Sequence, residues 1–353
     1  MDRAPSTIAW AVLAMSRPSH LLLVAWVYAL GVAIAYASGA AYDPRTLVAG
    51  LAALLPAAAS IHYVNEYADH ETDALTTRTP FSGGSGALPR TGLTPKLALS
   101  LALGTLLVGV VVTGYLYTEE FLSRPAVGLL ALGALLGWAY SLPPVALAWR
   151  GLGELDTAVV GGLVLPQYGV AVAAGGLSRT ALLATVPFSI LVFVNLLAVM
   201  WPDREADAEV GKRTLATRLS PRWLRRLYLG GVLATFVALA AFTGGVLPRP
   251  VALASYAIVP LLAWGLARTR KRKIHSRRCS RWWSSPSPRA SPGSTSRAST
   301  SSTETVLRSC CAPSSSPSRC TATGAGRFSE RRRICAGGRR CPPFRRSRRE
   351  TTA

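Results

Sequence analysis

The first 268 residues contain no cysteine, and the whole chain of 353 has only four histidines. A disulfide-stapled scaffold is therefore excluded for that region, and a zinc site of thiolates and imidazoles is disfavoured. Charge is scarce as well. Eight stretches of about twenty residues carry almost none: approximately 20–38, 47–64, 97–116, 126–142, 156–174, 181–200, 227–245 and 250–267. They also lack a polar face. A soluble surface helix is striped, whereas these stretches are apolar all round. No cleavable signal peptide is evident, because the first run is too long and lacks a cleavage site. Thr79 to Pro95, TPFSGGSGALPRTGLTP, is glycine-rich but lacks the G-x-x-x-x-G-K-[ST] spacing of a P-loop.

What is present is lipid-compatible length. A helix rises about 1.5 Å per residue, so about twenty residues cross a hydrocarbon core of about 30 Å. The expectation is an all-α polytopic membrane protein, a bundle of eight transmembrane helices. Basic residues fix its orientation. With the N-terminus in the cytoplasm, one side receives Arg3, Arg17, Arg78, Arg90, Lys96, Arg150, Arg204, Lys212, Arg213, Arg218, Arg222, Arg225 and Arg226. The other side receives Arg45, Arg124, Arg179 and Arg249. The excess of positive charge puts the first set in the cytoplasm of a cell inner or plasma membrane.

Composition breaks near residue 269. Residues 269–353 hold 21 of the 39 Lys and Arg, three acids and all six cysteines. Residues 1–268 are thus left with 18 basic and 14 acidic side chains, a charge of +4, out of a total of +22. The expected division is a membrane domain over 1–268 and a basic Ser/Arg/Pro-rich tail over 269–353. The tail has no helical or strand period and too little apolar surface to offset the cost of ordering it. One reading is a basic arm for anionic lipid or RNA. The other is an out-of-frame translation, since a GC-rich gene read in a shifted frame yields Arg, Ser, Pro and Cys. The abrupt arrival of every cysteine favours the second, and no nucleic-acid partner is expected.

Two rows of acids close two of the apolar runs. In Asn65-Glu-Tyr-Ala-Asp69-His-Glu-Thr-Asp73, the residues Asn65, Asp69 and Asp73 lie at i, i+4 and i+8, on one helix face. Glu66 and Glu71 point elsewhere and are not expected to touch a metal. In Asp203-Arg-Glu-Ala-Asp207 two more carboxylates stand four apart, at the end of the sixth run and on the same side. Either row alone reads equally well as a solvated helix end. Together they concentrate negative charge that needs a cation, and all-oxygen ligands suit Mg²⁺. Arg78, Arg90, Lys212 and Arg213 follow the rows, as basic groups around a diphosphate would, although the basic bias of a cytoplasmic face explains them too.

These motifs resemble the UbiA superfamily of intramembrane prenyltransferases. The first row is similar to the family's N-D-x-x-D-x-x-x-D, the second to its D-x-x-x-D, and Gly211-Lys212-Arg213-Thr214-Leu215 to the segment that follows. The resemblance covers about residues 15–267. It departs at Glu66, where the family often has Asp. It also departs at Val199 and Met200, where an Asn often precedes the second row. The family typically has nine membrane helices against eight here, which agrees with the reading that a last helix was lost to a shifted frame.

The resemblance implies prenyl transfer from a prenyl diphosphate to an aromatic, quinone-precursor-like acceptor. Asp69, Asp73, Asp203 and Asp207 would hold Mg²⁺, with Asn65 as a neutral helper. Arg78, Lys212 and Arg213 would bind the diphosphate. Tyr140, in WAYSLPPVALAWR, corresponds to a family segment near the diphosphate, and reads equally as an interfacial aromatic. Glu154 and Asp156 are further candidates on the acceptor side. The glycine-rich loop reads as a lid or as a plain connector. The run after the second row looks most like the branch that prenylates dihydroxynaphthoate. The alternatives are a transporter with a carboxylate ion path and a soluble helical prenyl synthase, against which the apolar spans count. Membrane lipid is the expected surround, and the oligomeric state is left open.

The frame reading makes one prediction. Resequencing the gene will reveal an alternative frame after about residue 268 that encodes an apolar run; its absence contradicts the reading.

Overall fold

Helices begin where the sequence supplies a cap or a proline. Asp43 accepts from the backbone N–H groups of Arg45 and Thr46, Ser123 from Ala126, Ser178 from Ala181 and Ser220 from Trp223. Pro occupies the first turn of several helices, where its missing N–H costs nothing. The structure, a computed structural model, describes residues 5–75 and 84–268. These fall within one compact unit, Met1–Arg278. The tail over 269–353 and Arg78 lie outside the described residues.

In chain order the helices are α1 (Pro5–Met15), α2 (Pro18–Ala37), α3 (Pro44–Ala68), α4 (His70–Leu75), α5 (Ala87–Thr91), α6 (Pro95–Thr118) and α7 (Arg124–Ser141). A 3₁₀ turn, Leu147–Arg150, leads to α8 (Gly153–Val159), which runs through a π turn, Val160–Val164, into α9 (Leu165–Ala174). Then follow α10 (Arg179–Val199), the short α11 (Arg204–Glu209) and α12 (Leu215–Arg218), and α13 (Pro221–Phe242). Last come α14 (Arg249–Ser255), a 3₁₀ turn and α15 (Val259–Arg268). The described residues contain no strand.

Among the described residues, seven helical stretches are long and apolar enough to cross a membrane: Ser6–Ala37, Pro44–Ala68, Pro95–Thr118, Gly153–Ala174, Arg179–Val199, Pro221–Phe242 and Arg249–Ala267. The expected count of eight is therefore approximate. Each expected run lies largely on helix, but α7, with Arg124 at its start and Tyr140 and Ser141 at its end, is not among the seven. The first span also starts earlier than the sequence reading placed it. The apolar α1 precedes α2, and the break between them falls at Arg17, whose φ is 50°.

The chain is all-α and polytopic. α3 packs along α6, α2 along α9 and α10 along α13. Lipid-compatible side chains such as Leu22, Trp26, Leu107, Val111 and Leu233 are exposed on the outside. One core gathers Tyr28, Leu54, Leu130 and Tyr168, with the Tyr168 hydroxyl donating to the Gly50 carbonyl at 2.7 Å. A second core, nearer the acid rows, holds Met15, Tyr63, Val64 and Leu88. A third joins Val194, Leu197, Leu224 and Tyr228. In lipid, helices associate through close packing of small residues. The α2–α9 crossing shows this: a Cβ on Gly31 would strike the Pro166 backbone and lie 3.0 Å from the Gly169 Cα.

Gly31→Ala is therefore expected to destabilise the bundle by about 1–3 kcal/mol, the usual cost of overpacking. Gly104→Ala, with open space around its new methyl, is expected to leave thermal unfolding in detergent unchanged. Equal unfolding temperatures for the two variants would contradict the crossing.

Candidate active site

The first acid row straddles a helix end. α3 stops at Ala68 and Asp69 is its C-cap, yet the hydrogen-bond register carries on. Asp69 N–H donates to the Asn65 carbonyl at 2.9 Å, and Asp73 N–H to the Asp69 carbonyl at 2.8 Å. The shared face survives: Asn65 Nδ2 donates to Asp69 Oδ2 at 3.0 Å, and also to Ser141 Oγ at 3.3 Å. The second row behaves alike, with Asp207 N–H donating to the Asp203 carbonyl at 2.9 Å. α4, which carries Asp73, and α11, which carries Asp207, touch.

Lys212 joins the rows. Its Nζ donates to both oxygens of Asp69 at 3.2 Å and lies 3.9 Å from Asp207 Oδ1. The three are buried: Asp207 is 2 % exposed, Lys212 5 % and Asp69 9 %. A local turn aims the lysine inward. Gly211 adopts φ 82°, a left-handed conformation open to glycine, and Lys212 N–H returns to the Asp207 carbonyl at 2.8 Å. The neighbouring Arg213 has an exposed side chain and donates its backbone N–H to the Trp149 carbonyl at 3.2 Å. Of the two adjacent basic residues expected at the diphosphate, the fold brings Lys212 to the acids and leaves Arg213 at the surface. Tyr140 lies close enough to Lys212 for the two to couple electrostatically, and burial holds the phenol protonated, with its pKa pushed up to about 12.

The electrostatics follow from burial. Asp73 is pushed up to about 7, first by burial and then by Asp69 and Glu66, with Arg17 and Lys212 opposing. Burial likewise pushes Asp207 up to about 6; Lys212 opposes this, while Asp203 and Asp69 add to it. For Lys212, burial works against the charge, but the carboxylates of Asp69 and Asp207 outweigh it and raise its pKa. Two carboxylates are thus held in a state that any added cation would relieve.

The donor chemistry fits Mg²⁺. The candidate ligands are all oxygen, and Asp207 Oδ2 is buried without a hydrogen-bond partner. Among the described residues no three His, Cys, Asp or Glu side chains surround a single ion. A full protein cage is not what this ion needs, because Mg²⁺ commonly takes one or two carboxylates and completes its shell with water and substrate phosphate.

A second buried pair, not anticipated from the sequence, braces the first row. Glu66, only 2 % exposed, accepts from Arg17 Nε at 2.9 Å and Nη2 at 2.6 Å, and from the Ser85 N–H and hydroxyl at 2.7 and 2.6 Å. Three chain segments meet there. Glu66 is fully engaged by these contacts, and Glu71 is exposed. Ser85 brings the end of the glycine-rich segment back onto the helices. Beside it Gly84 has φ 61°, and a Cβ there would collide with the Asp73 carboxylate. Residues 84–91 are therefore packed against the site, with Ala87 and Leu88 in the second core. The part of the lid reading that concerns 79–83 lies outside the described residues.

A family model for the UbiA prenyltransferase family matches residues 5–285. The chain belongs to that family. It is 28% identical over 152 residues to 1,4-dihydroxy-2-naphthoate octaprenyltransferase of Bacillus subtilis, covering 43% of this chain and 48% of that protein. It is 26% identical over 200 residues to human UbiA prenyltransferase domain-containing protein 1, covering 57% and 58%. The matches thus span about half the length of these relatives. The fold is similar to a UbiA homolog from Archaeoglobus fulgidus bound to DMAPP and Mg²⁺, with a TM-score of 0.55, 18% identity and coverage of 73% and 85%. It is also similar to an apo UbiA homolog from Aeropyrum pernix, with a TM-score of 0.54, 18% identity and coverage of 71% and 90%.

The raised carboxylates make a signed prediction. Asp73 and Asp207 bind protons more tightly folded than unfolded, so between about pH 4 and 7 their contribution to the stability of the metal-free protein falls as pH rises. Mg²⁺ with pyrophosphate is expected to raise the unfolding temperature more at pH 7.5 than at pH 5.5. A thermal scan in detergent checks this; an equal or larger rise at pH 5.5 contradicts it.

Proposed function

We propose that the chain transfers a prenyl group from a prenyl diphosphate to an aromatic, quinone-precursor-like acceptor in the membrane, in a Mg²⁺-dependent reaction. The observation that carries this is Lys212 lying between Asp69 and Asp207, which makes one site of two rows about 130 residues apart. Membership of the family supports the reaction class. The solved relative with DMAPP and Mg²⁺ supports the donor and the metal, and the Bacillus subtilis relative supports a hydroxynaphthoate acceptor. The orientation proposed places the site on the cytoplasmic face.

Asp69, Asp73, Asp203 and Asp207 would hold Mg²⁺, with Asn65 fixing the Asp69 carboxylate. Bound Mg²⁺ supplies neutralisation of the diphosphate charge that develops as the allylic C–O bond breaks. Lys212 is already charged and preoriented, so it stabilises the departing diphosphate without reorganisation. Asn65 ties the first row to Ser141, beside Tyr140, and so positions it. Glu66, Arg17 and Ser85 hold the chain around Asp73. The apolar helices beneath exclude water from an allylic cation that water would quench. The acids of the two rows lie past the ends of α3 and α10 rather than within a span, a placement that suits an interfacial diphosphate better than an ion path.

The assay is transfer from a labelled prenyl diphosphate to a panel of hydroxylated aromatic acids by the full chain in membranes. Asp69→Ala and Asp203→Ala are each expected to lower the rate by roughly 10²-fold or more. Lys212→Met should do likewise, while Arg213→Met should lose far less. Full activity in both aspartate variants would contradict the site.

A further inference from the structure

Glu154 is a buried carboxylate that the diphosphate chemistry does not use. It lies in the first turn of α8 and is 3 % exposed. Its Oε1 accepts from the Leu215 N–H at 2.8 Å, which ties α8 to the turn that carries Lys212. Its Oε2 is buried with no hydrogen-bond partner. Leaving a buried carboxylate oxygen unsatisfied is costly, and the cost is kept where a ligand satisfies it.

The surroundings indicate what that ligand is. Glu154 lines a gap with Tyr140, Leu196, Met200 and Thr214 that is closed to a water-sized sphere, so a ring enters only when a lining side chain moves. Leu196 and Met200 supply apolar surface, and Tyr140 and Thr214 supply hydroxyls, a mixture that suits a hydroxylated aromatic ring. Glycine allows the close packing of one wall: a Cβ on Gly153 would lie 2.9 Å from the Ala148 Cα and 3.0 Å from the Tyr140 ring. Among the lining side chains, Met200 is unbranched with three rotatable bonds and so is the one that moves at least cost. Thr214, two residues past Lys212, lines the same gap, so it adjoins the turn that carries the lysine to Asp69.

We propose that Glu154 Oε2 accepts a hydrogen bond from a hydroxyl of the aromatic acceptor, and that this contact selects hydroxylated acceptors and orients them toward the donor. This rests on the proposed prenyl transfer. Glu154 is then a specificity residue acting on the acceptor alone. A buried acceptor atom rejects an analogue that lacks the hydroxyl, because the contact cannot form and the oxygen stays unsatisfied.

The test compares a hydroxynaphthoate with its O-methyl ether as acceptors, using the full-length wild type, Glu154→Gln and Glu154→Ala in membranes. The wild type is expected to prefer the hydroxyl form by roughly 10- to 100-fold, the worth of one hydrogen bond to a charged group. Glu154→Ala should lose most of that preference, and Glu154→Gln, which keeps a carbonyl oxygen, should fall between. The KM for the prenyl diphosphate should stay within about twofold in all three. A purely structural role, through the Leu215 contact, would instead displace Lys212 and raise that KM while leaving the acceptor preference intact; that result overturns the inference and leaves the proposed transfer standing. No transfer by the wild type to any hydroxylated aromatic overturns the proposed function, and this inference with it.

Discussion

The ammonium of Lys212 is the contact on which the site depends. It lies between Asp69 and Asp207, carboxylates from the two acid rows, and all three side chains are buried. Burying three charged groups is costly unless they compensate one another, and removing one partner of such a set typically costs about 3–5 kcal/mol. The set therefore constrains everything attached to it. α3 and α10 must end at the same depth, and the turn after α11 must point its lysine inward. Glycine at 211 lets that turn close.

The second buried pair does related work at a distance. Glu66 gathers Arg17, from the break between α1 and α2, and Ser85, from the return of the glycine-rich segment. Through Gly84 that segment reaches the Asp73 carboxylate. The first acid row is thus held from two sides: by Lys212 toward the second row, and by the Arg17–Glu66–Ser85 bracket toward the first helices. Such over-determination suits a site in which carboxylates must keep their places before a cation arrives.

Much of this was legible in the sequence, for identifiable reasons. Apolar runs register as helices because length and uniform hydrophobicity are local properties, and Asn65 and Asp69 declare a common face because helical spacing is fixed. The bracing role of Glu66 was legible only in part: spacing set it off the face shared by Asn65, Asp69 and Asp73, but its partners Arg17 and Ser85 lie 49 and 19 residues away. α1 escaped notice because Arg17 and Pro18 interrupt its apolar pattern. Lys212 and Arg213 were equivalent on paper. Only the left-handed turn at Gly211 and the backbone bond from Arg213 to Trp149 decide which of them turns inward, and both are properties of the folded chain.

The most direct measurement of the central claim is an experimental structure of the chain with a non-reactive prenyl diphosphate analogue and Mn²⁺ in place of Mg²⁺. The account predicts anomalous Mn²⁺ density on the carboxylates of both rows, with Lys212 Nζ moved from Asp69 to a phosphate oxygen. Density on one row alone, or a diphosphate seated away from Lys212, would contradict a single site built from both.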